Sequence, residues 1–296
     1  MKIHETHEDR IVNTIFYILL AVLTLIFTYP LWFIIIASVS SPDAIWGGNV
    51  VLLPSHITLL GYKKIFVESR IWIGYRNSLI YMVVGTLVNL AVTVAAAYPL
   101  SRRDFKARNF CMAYFVITMF FSGGMIPTYL IIQKLGIIDT LWVMVLPGAV
   151  NVTNIIITRT FFQNTIPTEL HEAGMLDGCT NFRFFLRVVL PLSSAIIAVM
   201  TLFFAVGHWN SYFNALLYLN SRDRMPLQMF LREILTKSQI SNSMSTADMI
   251  VMGEQYKLSE TIKYGVIIVA CLPVMIMFPF IQKHFVKGVM IGSLKG

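Results

Sequence analysis

Charge is what this sequence has least of. Only 13% of its 296 residues are Asp, Glu, Lys or Arg, against roughly a quarter in a soluble domain. Hydrophobic residues make up 56%, and the mean hydropathy is +0.70. Much of the surface must therefore face something other than water. Cysteine is scarce as well. Cys111, Cys179 and Cys271 share no paired spacing, so neither a disulfide framework nor a metal site is expected. No Gly-Lys-Ser/Thr follows Gly123-Gly124, so that pair is not a phosphate loop. His4, His7, His56, His171, His208 and His284 never fall into ligand spacing such as His-Glu-x-x-His. No nucleophile–base set appears. The chain is expected to be no enzyme, with no catalytic residue, no metal and no cofactor of its own. A net charge of +8 raises nucleic acid as a partner. Basic residues at the inner face of a membrane explain it more simply, and no nucleic acid is expected.

What the sequence has in quantity is long uncharged runs. Ile11–Val39, Asn77–Ser101, Phe110–Gln133, Thr140–Thr158, Val188–Ser221 and Tyr264–Gln282 contain no charged residue. Each is about as long as the roughly 20 helical residues that cross a bilayer core, or longer. Backbone groups in hydrocarbon must bond within their own segment, and the runs are continuous rather than alternating, so they read as helices. The expectation is an all-α integral membrane protein. It forms one domain over 1–296, with spans near 11–39, 77–101, 110–133, 140–158, 188–209 and 264–282. The first run is too long and too bulky at its end for a cleaved signal peptide. Seven prolines within these runs, from Pro30 to Pro279, are expected to bend or end helices.

Four basic residues in the short loop Arg102–Arg108 mark it as cytoplasmic. Alternation then places both termini inside and the segments 40–76 and 210–262 outside. It also leaves 163–187 in the cytoplasm. No Asp, Glu, Lys or Arg lies within a span, so an ion-coupled carrier lacks the usual intramembrane charge. In the second outer segment, Pro226–Leu235 reads as a short amphipathic helix, and Ser238–Ala247 as a loop. That segment suits either a contact with a soluble partner or a lid over the bundle.

The cytoplasmic segment carries the most information. Pro167 suits a helix start, and Glu169 and Glu172 sit in early turns where the helix dipole favours acids. Leu170, Ala173 and Gly174 share one face, small at its centre, which another protein could approach closely. Asp177 precedes Gly178, which suits the left-handed residue that ends a helix. Thr180 can cap a second helix, Asn181–Val189, running into Leu190-Pro191. A short helix, a turn and a second helix between two spans read either as a docking element for a soluble partner or as an ordinary interface helix.

Glu172-Ala173-Gly174-Met175-Leu176-Asp177-Gly178, with Pro191 thirteen positions on, resembles the coupling motif of binding-protein-dependent ABC importers. Gly174 departs from the second alanine of that motif. Pro167–Leu170, Trp209-Asn210, Pro226-Leu227-Gln228 and the tail Gln282–Gly296 are similar to the branch that imports maltose-type sugars and alginate or other complex oligosaccharides. The resemblance covers the whole chain. It implies the type I importer permease fold, and pairing with a second, homologous permease in a bacterial cytoplasmic membrane. It implies two ATPase subunits that bind ATP and Mg, an extracytoplasmic solute-binding protein, a sugar substrate and surrounding lipid. Glu169, Leu170, Glu172, Ala173, Gly174, Asp177 and Gly178 would then form the ATPase-docking segment. The tail Gly288–Gly296 would reach the ATPase interface or serve as a basic anchor. Sugars need aromatic faces and hydrogen-bonding amides, so Asn151, Asn154, Trp209, Asn210, Tyr212 and Asn214 are candidates for the substrate path. The same residues could instead hold helices together.

Overall fold

The computed structural model describes residues 7–242 and 262–279. Every regular element among them is helical. They fall into two compact units: residues 7–69 with 231–242 and 262–271, and residues 70–230 with 272–279.

The first unit starts with α1 (His7–Ser38). Its side chains from Glu8 to Trp32 are exposed, with Trp32 Nε1 donating to the Leu52 carbonyl at 2.9 Å. Its last turns do pack. Ile36, together with Ala44 of α2 (Pro42–Trp46) and Val50, forms a small core. The Ser40 hydroxyl accepts from the Ser55 N–H at 3.2 Å. In α3 (Leu60–Val67), Tyr62 donates its hydroxyl proton to Ser38 Oγ at 3.0 Å.

The second unit is organised by α4 (Ser69–Ser101). It begins eight residues before the expected Asn77, because Arg70 and Arg76 continue the helix beyond the uncharged run. Its buried residues recur every three or four positions, from Ile71 through Ser78, Gly85, Asn89 and Ala97 to Leu100. Most of that stripe is small or polar: Gly74, Asn77, Ser78, Gly85, Thr86, Asn89, Thr93 and Ala97. In a bilayer, close backbone approach and interhelical hydrogen bonds hold helices together, and such a stripe allows both. At Gly85 a Cβ would lie only 2.4 Å from the His208 ring, so any side chain there would displace it.

Three further apolar stretches are each broken in two. The expected third span is α5 (Arg108–Phe120) followed by α6 (Met125–Lys134), bent by 114°. The break lies at Phe121–Gly124, where Gly124 takes a φ of +85° that favours glycine. The glycine pair is a hinge in the helix, a role the uncharged run does not reveal. Next, α7 (Leu141–Val145) extends through a tight turn at Pro147 and meets α8 (Val152–Thr165) at 57°. Asn89 Nδ2 donates to the freed Gly148 carbonyl at 3.0 Å. That replaces a backbone bond which a break inside hydrocarbon would otherwise lose.

The short helices α9 (Thr168–Leu176) and α10 (Asn181–Phe184) follow. A π-type turn over Phe185–Val189 leads to α11 (Leu190–Leu192) and then α12 (Ser194–Trp209), bent from the preceding stretch by 79°. Pro191 explains the widened turn: it lacks an N–H and crowds the preceding carbonyls. After α13 (Phe213–Tyr218), the helix α14 (Leu227–Asn242) starts directly after Pro226, as expected. It runs seven residues past the expected Leu235. No Gly or Pro interrupts it, and each added residue brings one more backbone bond. This overturns the loop expectation for 238–242. The rest of that loop and the tail 282–296 lie outside the described residues. The last helix, α15, is Ile262–Pro279. Thus α1, α4 and α15 are each long and apolar enough to cross a membrane, and the three bent pairs pass the same test jointly.

Candidate ATPase-docking corner

The helix–turn–helix at Thr168–Phe184 forms as its sequence suggests. Pro167 takes the N-cap position with extended ψ of 147°. At the other end the Cys179 N–H reaches the Gly174 carbonyl at 2.9 Å, and the Gly178 N–H reaches Met175 at 3.0 Å. With Gly178 at φ +71°, this is a Schellman end, and Asp177 is its C-cap residue. Thr180 then caps α10 by accepting the Arg183 N–H at 3.3 Å.

Phe184, 2% exposed, lies under α9. Its ring meets the His171 ring edge-on with centroids 5.1 Å apart. A Cβ on Gly174 would come within 2.9 Å of the same ring. Gly174 is therefore turned toward its own chain. The expectation that its smallness lets a partner approach is corrected: it makes room for Phe184. The other face of α9 stays open. Glu169, Glu172 and Ala173 are exposed, as is Leu170, and Leu176 is 90% exposed. Neither acid has a hydrogen-bond or ion-pair partner among the described residues. Two unpaired carboxylates one turn apart, beside exposed Leu170, Met175 and Leu176, suit a basic, partly apolar groove.

Glu169, Glu172, Met175 and Leu176 line one side of a cleft of about 1180 Å³, whose other side is formed by Arg102, Arg103, Asp104 and Arg108. Arg102 dominates it. Its Nε and Nη2 donate to the two Asp104 oxygens at 2.8 and 2.6 Å. Its Nη1 donates to Tyr98 Oη at 3.2 Å and Asn181 Oδ1 at 3.1 Å. Its Nη2 also points at His171 Nδ1, 3.4 Å away. His171 Nε2 is 3.0 Å from the same Asn181 oxygen. Arginine only donates, so Nδ1 is the acceptor and Nε2 carries the proton. The hydrogen bonds from Arg102 hold the Asp104 carboxyl below the usual carboxylate range, and Asp104 in turn raises the Arg102 guanidinium. Two neighbouring bonds fix the end of α4: Arg159 Nε to the Leu100 carbonyl at 2.9 Å, and Gln163 Nε2 to the Ser101 carbonyl at 3.4 Å.

Known proteins resemble the chain over its full length. No family model matches it. A polygalacturonan/rhamnogalacturonan transport system permease protein of Bacillus subtilis is 41% identical over 98% of this chain and 100% of its own. The protein LplC of the same organism is 39% identical over 99% of this chain and 98% of its own. A solved bacterial ABC transporter involved in import of the acidic polysaccharide alginate has a chain that superposes with a TM-score of 0.85. It is 30% identical and covers 96% of this chain and 100% of that one. The chain belongs to the sugar ABC-transporter permease family. It is a multi-pass membrane protein, and its family implies coupling to an ATPase.

The permease does not gather the six candidate substrate-path residues into one described pocket. Asn151 caps α8, its side chain accepting the Asn154 N–H at 3.0 Å, and Asn154 is half-buried. Trp209 is 1% exposed and meets the Tyr75 ring edge-on at 5.4 Å. Asn210 is exposed and accepts from Gln228 Nε2 at 3.4 Å. Tyr212 is exposed before α13, and Asn214 is half-buried within it. In the sequence alone, Arg102 marks sidedness and His171 has no ligand spacing to set it apart. Their pairing spans 69 positions, and only the fold brings them together.

Proposed function

We propose that this chain is one of two permease subunits of an ATP-driven oligosaccharide importer, and that α9 docks on a separate ATPase. The exposed, unpaired Glu169 and Glu172 beside Leu170, Met175 and Leu176 carry this reading. Ala173, Asp177 and Gly178 shape the docking segment, and Gly174 seats it on Phe184. The chain spans the membrane six times, each bent pair counting once, with both termini and α9 in the bacterial cytoplasm. ATP and Mg belong to the ATPase, and this chain performs no catalysis. A second homologous permease and lipid cover the exposed faces. An extracytoplasmic binding protein delivers the sugar, and Asn151, Asn154, Trp209, Asn210, Tyr212 and Asn214 are the residues to test along its path. The relatives' named cargoes, polygalacturonan/rhamnogalacturonan and alginate, support a complex sugar as substrate.

The test is Glu172→Lys in the chromosomal copy. Membrane levels of the chain should stay normal, while ATPase co-purification in mild detergent and oligosaccharide uptake both fall about tenfold or more. Normal uptake with normal co-purification would end the docking role of α9.

A further inference from the structure

Arg102 carries more than a loop arginine ordinarily does. A guanidinium has five N–H donors. All five are matched: two to Asp104 and one each to Tyr98, Asn181 and His171. The side chain is only 16% exposed, so its charge is held in place. Its partners stand on different elements: Tyr98 on α4, His171 on α9, Asn181 at the start of α10 and Asp104 in the loop that follows α4. The cation also lies over the Tyr98 ring, 5.9 Å from its centroid. Arg102 directly follows Ser101, the last residue of α4. The α4 terminus is itself tied to α8 by Arg159 and Gln163.

A docking helix must deliver force to the spans. The apolar contact of α9 runs through Phe184 to α10 and so toward α12. Its polar contact runs through His171 to Arg102 and so to α4. The first contact is a ring on a helix face, which can slide. The second is a set of directional bonds on a planar fork, which resists rotation as well as separation.

We infer that Arg102 is a positioning residue that transmits movement of the ATPase-docking helix α9 to the span α4 through His171 and Asn181. The inference rests on the docking reading of α9. Asp104 aligns the fork, and lysine cannot replace it, since one ammonium has three donors and no planar geometry.

The test uses the full purified importer in lipid vesicles, with the three native cysteines replaced by serine and a reporter cysteine at Ile80 on α4. Labelling of the reporter by a thiol reagent is measured without nucleotide and with the Mg complex of a non-hydrolysable ATP analogue. ATP hydrolysis and ATPase co-purification are measured on the same samples. In Arg102→Met the ATPase should co-purify and hydrolyse ATP, while the nucleotide-dependent change in labelling shrinks about fivefold or more. Arg102→Lys should not restore it. His171→Phe, which keeps a ring against Phe184 but loses both polar contacts, should shrink the change in the same direction by less. An undiminished change in Arg102→Met would overturn the inference. Loss of the ATPase from that variant would overturn it too, because Arg102 would then hold the docking surface itself. The docking reading fails separately, on Glu172→Lys that keeps its ATPase.

Discussion

Two loops of the second unit are each organised by one ionised side chain, and they use it in different ways. Asp139 takes its bonds mostly from main chain. Its carboxylate accepts the Asn220 and Ser221 N–H groups at 3.1 Å each and the Ser221 hydroxyl, with Arg224 3.5 Å away. The same loop is bolted to α4 by backbone groups: Asn77 Nδ2 donates to the Asp223 and Met225 carbonyls, Tyr81 Oη donates to Arg224, and Ser78 Oγ accepts from the Leu227 N–H. The Arg102 guanidinium, in contrast, bonds only side chains. Main-chain partners fix a loop in one conformation, because the backbone cannot swing away without breaking secondary structure. Side-chain partners on separate helices tie those helices to one another, so that the fork is carried with whichever of them shifts. One corner is built to stay, and the other to move.

The comparison can be broken from the rigid side first. Asn77→Leu removes the shared donor of the part-buried Asp223 and Met225 carbonyls and should lower stability by about 2 kcal/mol, read as an earlier melting transition of the purified complex. An unchanged transition would mean that the Asp139 corner is not rigid after all. Asp139→Asn keeps the shape but weakens the charged acceptance, and about 1 kcal/mol is expected in the same measurement. Arg102→Met should cost less than about 1 kcal/mol, since Asp104 is 66% exposed and water screens the pair. If it melts the complex as strongly as Asn77→Leu does, the contrast between the corners is lost. Acid gives the finest test. The Ser221 hydroxyl and the Ser221 and Asn220 N–H groups hold the Asp139 carboxyl below the usual carboxylate range. Its contribution is therefore complete above the ordinary value of about 3.9 and lost as pH falls through the lowered one. Amide exchange at Asn220 and Ser221 should stay slow at about pH 4 and quicken only below it.

The sequence signals that proved legible were local ones. Uncharged runs marked the apolar helices and bent helix pairs, and Gly178 and Thr180 marked the turn and cap around α9 and α10, because each effect acts within a few residues. Three features needed the fold. The break at Gly123-Gly124 lies in an uncharged run whose hydropathy hides it. The inward face of Gly174 depends on where Phe184 lands. The Arg102 fork depends on His171 and Asn181, 69 and 79 positions away. α9, the proposed docking helix, was legible as a helix with acids, but which of its residues face outward was not. For the substrate path, residue types alone could not separate a cap such as Asn151 or a packed ring such as Trp209 from a sugar contact.

The bare helix α1 has a consequence for the cell. With its side chains from Glu8 to Trp32 largely unburied by the rest of the described chain, α1 is held there only at its last turns, around Trp32, Ile36 and Ser38. Neighbours must hold the remainder. A chain made in excess of those neighbours keeps an unclaimed rod in the membrane, open to chance pairings and to membrane proteases.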